Sequence, residues 1–342
     1  MLLKCIKQGV HYVGKNLFDY ATKELSQDAF ILWLFDSWNS DNEIERTTSR
    51  KFIQFISGIN ETENIQSVWI KPQWYRMDVS CFITIGDREV AIFIEDKVTS
   101  SEHNQLQKYN DSIRRIIAGE KGKLKEEDVK RIFYKTDTMD ESERKRVQEA
   151  GWQIIEFDSL RSFWSRFIDS DHMIIRQYAK HVCSLWESTN NTELPMDNNT
   201  LAWKSFFDKQ IVPLFKDWTT CWTAITRYKY TVFCVQPKGT DSIYMPYLEI
   251  RSRDCLNGSF NAKILMYGVN FSKNPNGTEV LREKIHSMES NGVFKTNYGE
   301  KHNKQVGRTP KGRFSQSDID GFIDNVRTVV REYLEAISIW NL

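Results

Sequence analysis

Residues Glu89–Ile94 constrain the fold more than any other stretch. Val90, Ile92 and Ile94 fall on one face of an extended strand, and Ala91 and Phe93 on the other. A strand that is apolar on both faces must be covered on both, so it sits centrally in a sheet with a layer above and a layer below. Met77–Ile85, just before it, reads as a second strand, and Gly86-Asp87 supplies a two-residue hairpin turn between them.

The flanking pattern alternates. Residues 28–38 are too long and too apolar for one strand and read as a buried helix, and Arg50–Ile59 reads as another helix. After the hairpin come a helix over Glu102–Ala118, a strand over Val129–Tyr134, a helix over Glu141–Ala150, a strand over Trp152–Phe157 and helical structure over Ser159–Trp186, in one or two pieces. This order predicts an α/β fold, a mixed central sheet with helices on both faces. Glu187–Asn199 is polar, carries Pro195 and has linker composition. Two domains are expected, 1–189 and 200–342. The second reads as a smaller α+β domain, with helices at Trp203–Trp218, Thr278–Ser290 and Gln316–Ile339 and strands at Tyr230–Gln236, Ile243–Arg251 and Ala262–Val269. Its length fits one domain at roughly 100–200 residues each.

The chain's 342 residues carry a formal charge of +1, so no global charge advertises a polyanionic partner. No apolar run approaches the ~18 residues of a membrane span. Met1–Gly14 is interrupted by Lys4, Lys7 and His11, a poor secretory signal. The six cysteines are scattered without a Cys-x-x-Cys pair, which argues against a zinc ribbon or a thioredoxin motif and fits a reducing cytoplasm. The sequon at 60–62 is read as chance. No His-x-x-x-His, no P-loop and no Gly-x-Ser-x-Gly occurs, so zinc hydrolase, P-loop ATPase and serine hydrolase chemistries are not supported.

The chemistry concentrates at one end of the hairpin. From Asp78 to Gly86 and from Asp87 to Glu95 the count is the same, 8 residues. A two-residue turn therefore sets Asp78 directly opposite Glu95, about 4.5–5.5 Å apart between Cβ atoms. Alternation puts Glu95 and Lys97 on one face and Asp96 on the other. Two facing carboxylates repel, and one takes up a proton unless a cation intervenes. A hard divalent ion, Mg²⁺ or Mn²⁺, suits Asp78 and Glu95 with a carbonyl oxygen of Asp96, and leaves Lys97 beside the attacking water. On spacing alone, a surface ion pair between Lys97 and Glu95 or Asp78 explains the same residues.

Asp78…Glu95-Asp96-Lys97 resembles the signature of the PD-(D/E)XK nuclease superfamily, an acid on one core strand and acid-x-Lys on the next, with Met77 standing where the family usually has Pro. Gln105-Leu-Gln-Lys-Tyr109 resembles the Gln-x-x-x-Tyr motif of its RecB-like branch, and i, i+4 spacing puts both side chains on one helix face. Glu24-Leu-Ser-Gln-Asp-Ala-Phe30 resembles the opening of one bacterial subfamily, whose early Glu joins the metal site; Glu24 is then the third acid and Asp28 the reserve. The plainer reading of Glu24 is a carboxylate near a helix start. The resemblance covers residues 17–165 and implies a restriction-endonuclease-like core of helix, three-stranded meander, helix and strand. It implies a metal-dependent nuclease, acting on DNA rather than RNA, with Gln105 and Tyr109 orienting Lys97 and the phosphate. Bacterial defence is implied by analogy only.

Lys295–Arg313 holds Lys295, Lys301, Lys304, Arg308, Lys311 and Arg313 against Glu300 alone. Gly299, Gly307, Pro310 and Gly312 read as a loop, and Tyr298 and Phe314 as possible base stackers. This is the expected nucleic-acid contact. A solvated loop is the plainer alternative. Trp69, Trp74 and Tyr75 precede the first acid and read better as core than as cleft wall. The second domain is expected to select substrate or to build a homo-oligomer. A nuclease fold that binds nucleic acid or protein without cutting is the competing functional class, and partner sensing by the second domain in defence against phage is a third.

Overall fold

The computed structural model describes residues 16–20, 24–60, 63–98, 105–119, 124–216, 219–237, 246–256, 258–260, 262–266, 295–296, 305–308, 312–315 and 317–337. The chain divides into two compact units, Met1–Trp186 and Glu187–Leu342. Among the described residues no helix is long and apolar enough to cross a membrane.

The first unit opens with a short helix α1 (Leu17–Tyr20), then α2 (Glu24–Asp36) and α3 (Glu43–Ser57). The Asn42 side chain caps α3 by accepting from the N–H groups of Ile44 and Glu45, and Gly58, at φ +70°, ends it. Strands β1 (Ile65–Pro72), β2 (Val79–Ile85) and β3 (Arg88–Lys97) form an antiparallel meander. Helix α4 (Gln105–Gly119) crosses to β4 (Val129–Lys135), and α5 (Glu141–Glu149) crosses to β5 (Gln153–Ile155). The sheet order is β1-β2-β3-β4-β5, with β3, β4 and β5 parallel. Helices α6 (Phe157–Trp164) and α7 (Met173–Thr189) complete the unit.

Strand β3 is central, as its two-sided apolar pattern requires. Val90, Ile92 and Ile94 pack with Phe30, Leu34, Phe52, Leu160, Trp164 and Tyr178 of the helices on one side. Ala91 and Phe93 pack with Leu106, Tyr109, Ile113 and Val147 of α4 and α5 on the other. Within the first layer Trp164 donates to the Tyr134 hydroxyl at 3.0 Å, and the Tyr134 and Tyr178 hydroxyls lie 3.1 Å apart. A mixed sheet under helices on both faces matches the restriction-endonuclease-like architecture implied by the motifs.

Several local readings change. The second helix begins at Glu43 rather than Arg50, because Asn42 supplies its cap. The last strand is only Gln153–Ile155, since Phe157 already begins α6. Strand β1 escapes the residue pattern: it lies at the sheet edge, only Val68 of its eight positions is buried, and it ends on Pro72.

In the second unit, helix α8 (Thr200–Phe206) continues as a π turn over Phe207–Ile211 and a 3-10 turn over Val212–Phe215, where one helix to Trp218 was expected. Strands β6 (Thr219–Ile225), β7 (Thr231–Pro237) and β8 (Pro246–Arg251) precede a short α9 (Ser252–Cys255), β9 (Ser259–Phe260) and β10 (Lys263–Met266). Then come β11 (Lys295–Thr296), β12 (Gln305–Arg308), β13 (Gly312–Arg313) and α10 (Ile319–Ile337). The main sheet runs β11-β12-β10-β8-β7-β6. Phe233, Val235, Leu248 and Ile250 pack with Trp203, Phe206 and Phe207 of α8 and with Phe322, Val326 and Tyr333 of α10. The expected helix at 278–290 lies outside the described residues. Residues 187–199, read as a linker, are largely built into structure: α7 runs to Thr189, Leu194 is buried, and Asn199 caps α8 and donates to Ser188 at 2.8 Å.

Candidate active site

The hairpin register is the one that counting residues implies. Ile85 faces Arg88 across Gly86-Asp87, and the pairing runs without a bulge to Val79 opposite Ile94. One step further, Asp78 is level with Glu95. Its Oδ2 accepts the backbone N–H of Asp96 at 2.9 Å, which holds the first acid against the next strand.

Glu95 and Lys97 lie on the α4 face of β3. The Lys97 ammonium is 2.6 Å from Glu95 Oε1 and 3.8 Å from Glu24 Oε2, so the first turn of α2 reaches the same sheet end. The Lys97 carbonyl accepts the N–H of Thr136, which fixes the backbone of β3 to the end of β4. At the next strand position Lys135 is buried and paired with Glu143 at 2.6 Å.

Charge balance at this end is unfavourable. Burial first, and then the charge of Asp78, push the Glu95 carboxyl up to about 8 against the opposing pull of Lys97. Burial alone would lower Lys97, but Glu95, Glu24 and Asp78 outweigh it and hold the ammonium above its ordinary value. Tyr109, one turn along α4 from Gln105, belongs to this cluster: burial first, then the charges of Glu95 and Asp78, raise its phenol. Gln105, half-buried at the start of α4, shares that helix face by its i, i+4 spacing.

Asp96 points to the other face, as alternation requires, and is fully buried against α2. Gln27 donates to its Oδ1, and Thr136 donates to Gln27 at 3.3 Å. Asp28 is its buried neighbour. Burial raises both carboxyls; Asp78 adds to Asp28, which reaches about 7, and Asp28 adds to Asp96. The motifs single out Asp28 only as a reserve and do not reveal Gln27 or Thr136. Their signal is three-dimensional: a polar residue on the buried side of an otherwise apolar helix, and a threonine one residue past a strand.

An oxygen-rich cation site fits these residues. On the α4 face Glu95 is buried with its Oε1 paired to Lys97 and its carboxyl raised first by burial and then by the charge of Asp78; Asp96 and Asp28, buried together on the other face, can contribute to the same ion only through the Asp96 backbone carbonyl. Among the described residues no group of three His, Cys, Asp or Glu side chains already stands in metal-binding array.

The described residues of the basic segment are strands rather than loop. Lys295, Arg308 and Arg313 lie on β11, β12 and β13, with Lys295 facing Arg308 and Arg308 facing Lys263 in register. Lys301, Lys304, Lys311 and Tyr298 lie outside the described residues. Phe314 is no open stacking platform: it packs on Phe322, ring centroids 4.8 Å apart. Of the aromatics before Asp78, Trp69 stacks on Phe82 at 4.0 Å as core, whereas Tyr75 is 48% exposed.

No curated protein and no solved structure matches the chain. One family model, described as the PD-(D/E)XK nuclease superfamily, matches residues 15–184, from the first short helix into α7. Those residues include the hairpin acids, Lys97, Glu24 and the helix carrying Gln105 and Tyr109. Through residues 15–184 the chain belongs to the PD-(D/E)XK nuclease superfamily.

Proposed function

We propose that this chain is an active, divalent-metal-dependent nuclease that hydrolyses phosphodiester bonds, with DNA as its substrate. The observation that carries the reading is the meeting of Asp78, Glu95 and Lys97 at one sheet end, with Lys97 2.6 Å from Glu95. Asp78, Glu95 and the Asp96 carbonyl would hold Mg²⁺ or Mn²⁺, with Glu24 completing the shell or holding a water. The ion, when bound, supplies Lewis-acid stabilisation of charge on the phosphoryl oxygens. Lys97 positions the attacking water and takes part in its proton transfer, and its ammonium faces the charge that grows as the phosphorus becomes five-coordinate. Tyr109 and Gln105 on α4 would orient Lys97 and the phosphate backbone, a role taken from the likeness of their spacing to the RecB-like branch.

The second unit would select substrate, with Lys295, Lys301, Lys304, Arg308, Lys311 and Arg313 as its basic contact, or build a homo-oligomer. A cytoplasmic role in bacterial defence rests on analogy with the superfamily's common setting.

The test is cleavage of labelled DNA by the full chain with Mg²⁺, beside Glu95→Ala and Lys97→Ala. Loss of cleavage in both variants, with unchanged circular dichroism, supports the mechanism. Cleavage by either at the wild-type rate removes it. Calorimetric titration with Mn²⁺ separates an active site from a binding-only fold: binding that disappears in Asp78→Asn supports the first.

A further inference from the structure

The connection from β1 to β2 enters the site through an unusual backbone. Gln73, Tyr75 and Arg76 have φ of 48°, 52° and 67°, three non-glycine residues in the left-handed region within four positions. Such conformations are costly for L residues with side chains and persist where the surroundings over-determine them, often at functional sites. Here the surroundings are a rigid aromatic stack. Trp69 lies flat on Phe82, Trp74 meets Phe82 edge-on at 5.4 Å, and the Lys71 ammonium sits 3.8 Å from the Trp74 ring centre. Tyr75 continues the stack, 5.1 Å from Trp74, and ends it in solvent. Two residues past Arg76 the chain reaches Asp78, and the Arg76 charge acts on the Tyr109 phenol in the site.

The site itself needs what this turn supplies. Glu24, Asp28, Asp78, Glu95 and Asp96 crowd one sheet end, where among the described residues the Lys97 ammonium is engaged by Glu95 and Glu24 and the Lys135 ammonium by Glu143, and a polyanion approaching them is repelled. Arg76 is exposed and makes no ion pair with a described carboxylate, so its charge is available to a phosphate. Tyr75 offers an exposed ring on a fixed mount beside it. A ring can stack on a base only where that base is unpaired, because the faces of duplex bases are already occupied.

On the nuclease reading above, we propose that the Gln73–Arg76 turn grips the substrate, with Tyr75 stacking on an unpaired base next to the scissile phosphate and Arg76 holding the neighbouring phosphate. The preferred substrate is then single-stranded or frayed DNA rather than intact duplex. The left-handed backbone is retained because it aims these two side chains; both are positioning and binding residues.

The experiment uses the full chain and a fluorescein-labelled mixed-sequence single strand, with its blunt duplex in parallel. Binding is read by anisotropy with Ca²⁺ in place of Mg²⁺, and cleavage with Mg²⁺. Tyr75→Ala is expected to weaken single-strand binding by roughly 5- to 150-fold, the range for one lost base stack, and Tyr75→Phe to restore it. The loss should fall mainly on KM. Arg76→Gln should reduce the salt slope of single-strand binding by about 0.7, one phosphate contact. Tyr75→Gly is the decisive variant: it relieves the backbone, so Tm should rise while binding falls as far as in Tyr75→Ala. A turn with a purely structural role predicts the reverse for binding, no change in Tyr75→Ala or Tyr75→Gly, and that result overturns the proposal. Equal losses on single strand and blunt duplex also overturn it. If the wild type cleaves DNA and these variants bind normally, this inference alone fails; if the wild type neither binds nor cleaves, the nuclease reading falls with it.

Discussion

Asp78 and Asp96 are joined across two strands by one hydrogen bond, the Asp78 carboxylate accepting the Asp96 N–H at 2.9 Å. The bond fixes an acid that lies just outside the regular ladder, and it leaves the second oxygen of Asp78 for another partner. Asparagine can accept the same bond without the charge. Asp78→Asn should therefore fold at least as stably as the wild type, because it also removes a repulsion felt by Glu95 and Asp28, yet lose Mn²⁺ binding and cleavage. Asp78→Ala loses the bond too, and should fall below Asp78→Asn by about 1 kcal/mol in chemical denaturation.

Glu95 and Asp28 make stability depend on pH. Their folded values, about 8 and about 7, lie above the ordinary carboxylate values of 4.5 and 3.8. The folded state therefore binds protons more tightly than the unfolded one, so the stabilisation is present at low pH and is lost as pH rises through these windows. Without divalent ions the Tm should fall from about pH 4.5 to about pH 8, with a limiting slope of about 1.4 kcal/mol per pH unit for each group. Mg²⁺ should raise the Tm more at pH 8 than at pH 6. A metal-free protein whose Tm rises over that range would contradict the assignment.

Asp96 gives an independent check. Asparagine at 96 keeps an acceptor for Gln27 and gains a donor toward Asp28. Asp96→Asn should raise the Tm at pH 8 and flatten the metal-free pH profile, because it removes one member of a buried like-charge pair. Thermal scans at pH 6 and pH 8 measure both effects.

Tyr109→Phe removes the phenol that faces Glu95 but keeps the ring in its apolar layer. Cleavage should drop by about 10- to 100-fold in kcat, on the order of 1.4–2.7 kcal/mol, with KM and Tm little changed. A purely packing role predicts no change in kcat.

The core carries its own prediction. Tyr134→Phe would leave the Trp164 N–H without its acceptor and the Tyr178 hydroxyl without its partner. The cost should be about 1–3 kcal/mol in chemical denaturation, without effect on Mn²⁺ affinity.

What the amino-acid order reveals depends on how local the cause is. The β2–β3 hairpin is legible because strand period, turn residues and equal counts on both sides agree, and these place Asp78 opposite Glu95 and separate Asp96 from Lys97. Strand β1 is hidden by its edge position. Strand β6, also missed, does alternate: Cys221 packs inward while Trp222 is partly exposed, and its Thr-rich stretch was a usable signal. In the basic stretch the Gly and Pro residues suggest a loop, yet among its described residues Gln305–Arg308 is a strand held by partners distant in sequence. The Gln27–Asp96–Thr136 chain was not legible, since it joins a helix to the ends of two strands that lie 69 and 109 residues further along the chain.

Gly86, at φ +59°, stands at the opposite end of the hairpin from the acids. It lies 8 residues from Asp78, roughly 25 Å along the strand. Lengthening the bend there by a single residue would slide β2 by one place against β3, leave Asp78 out of step with Glu95 and turn its carboxylate toward the wrong side. The bend thus acts as a remote alignment gauge, and drift at this position would silence the catalytic end without touching it.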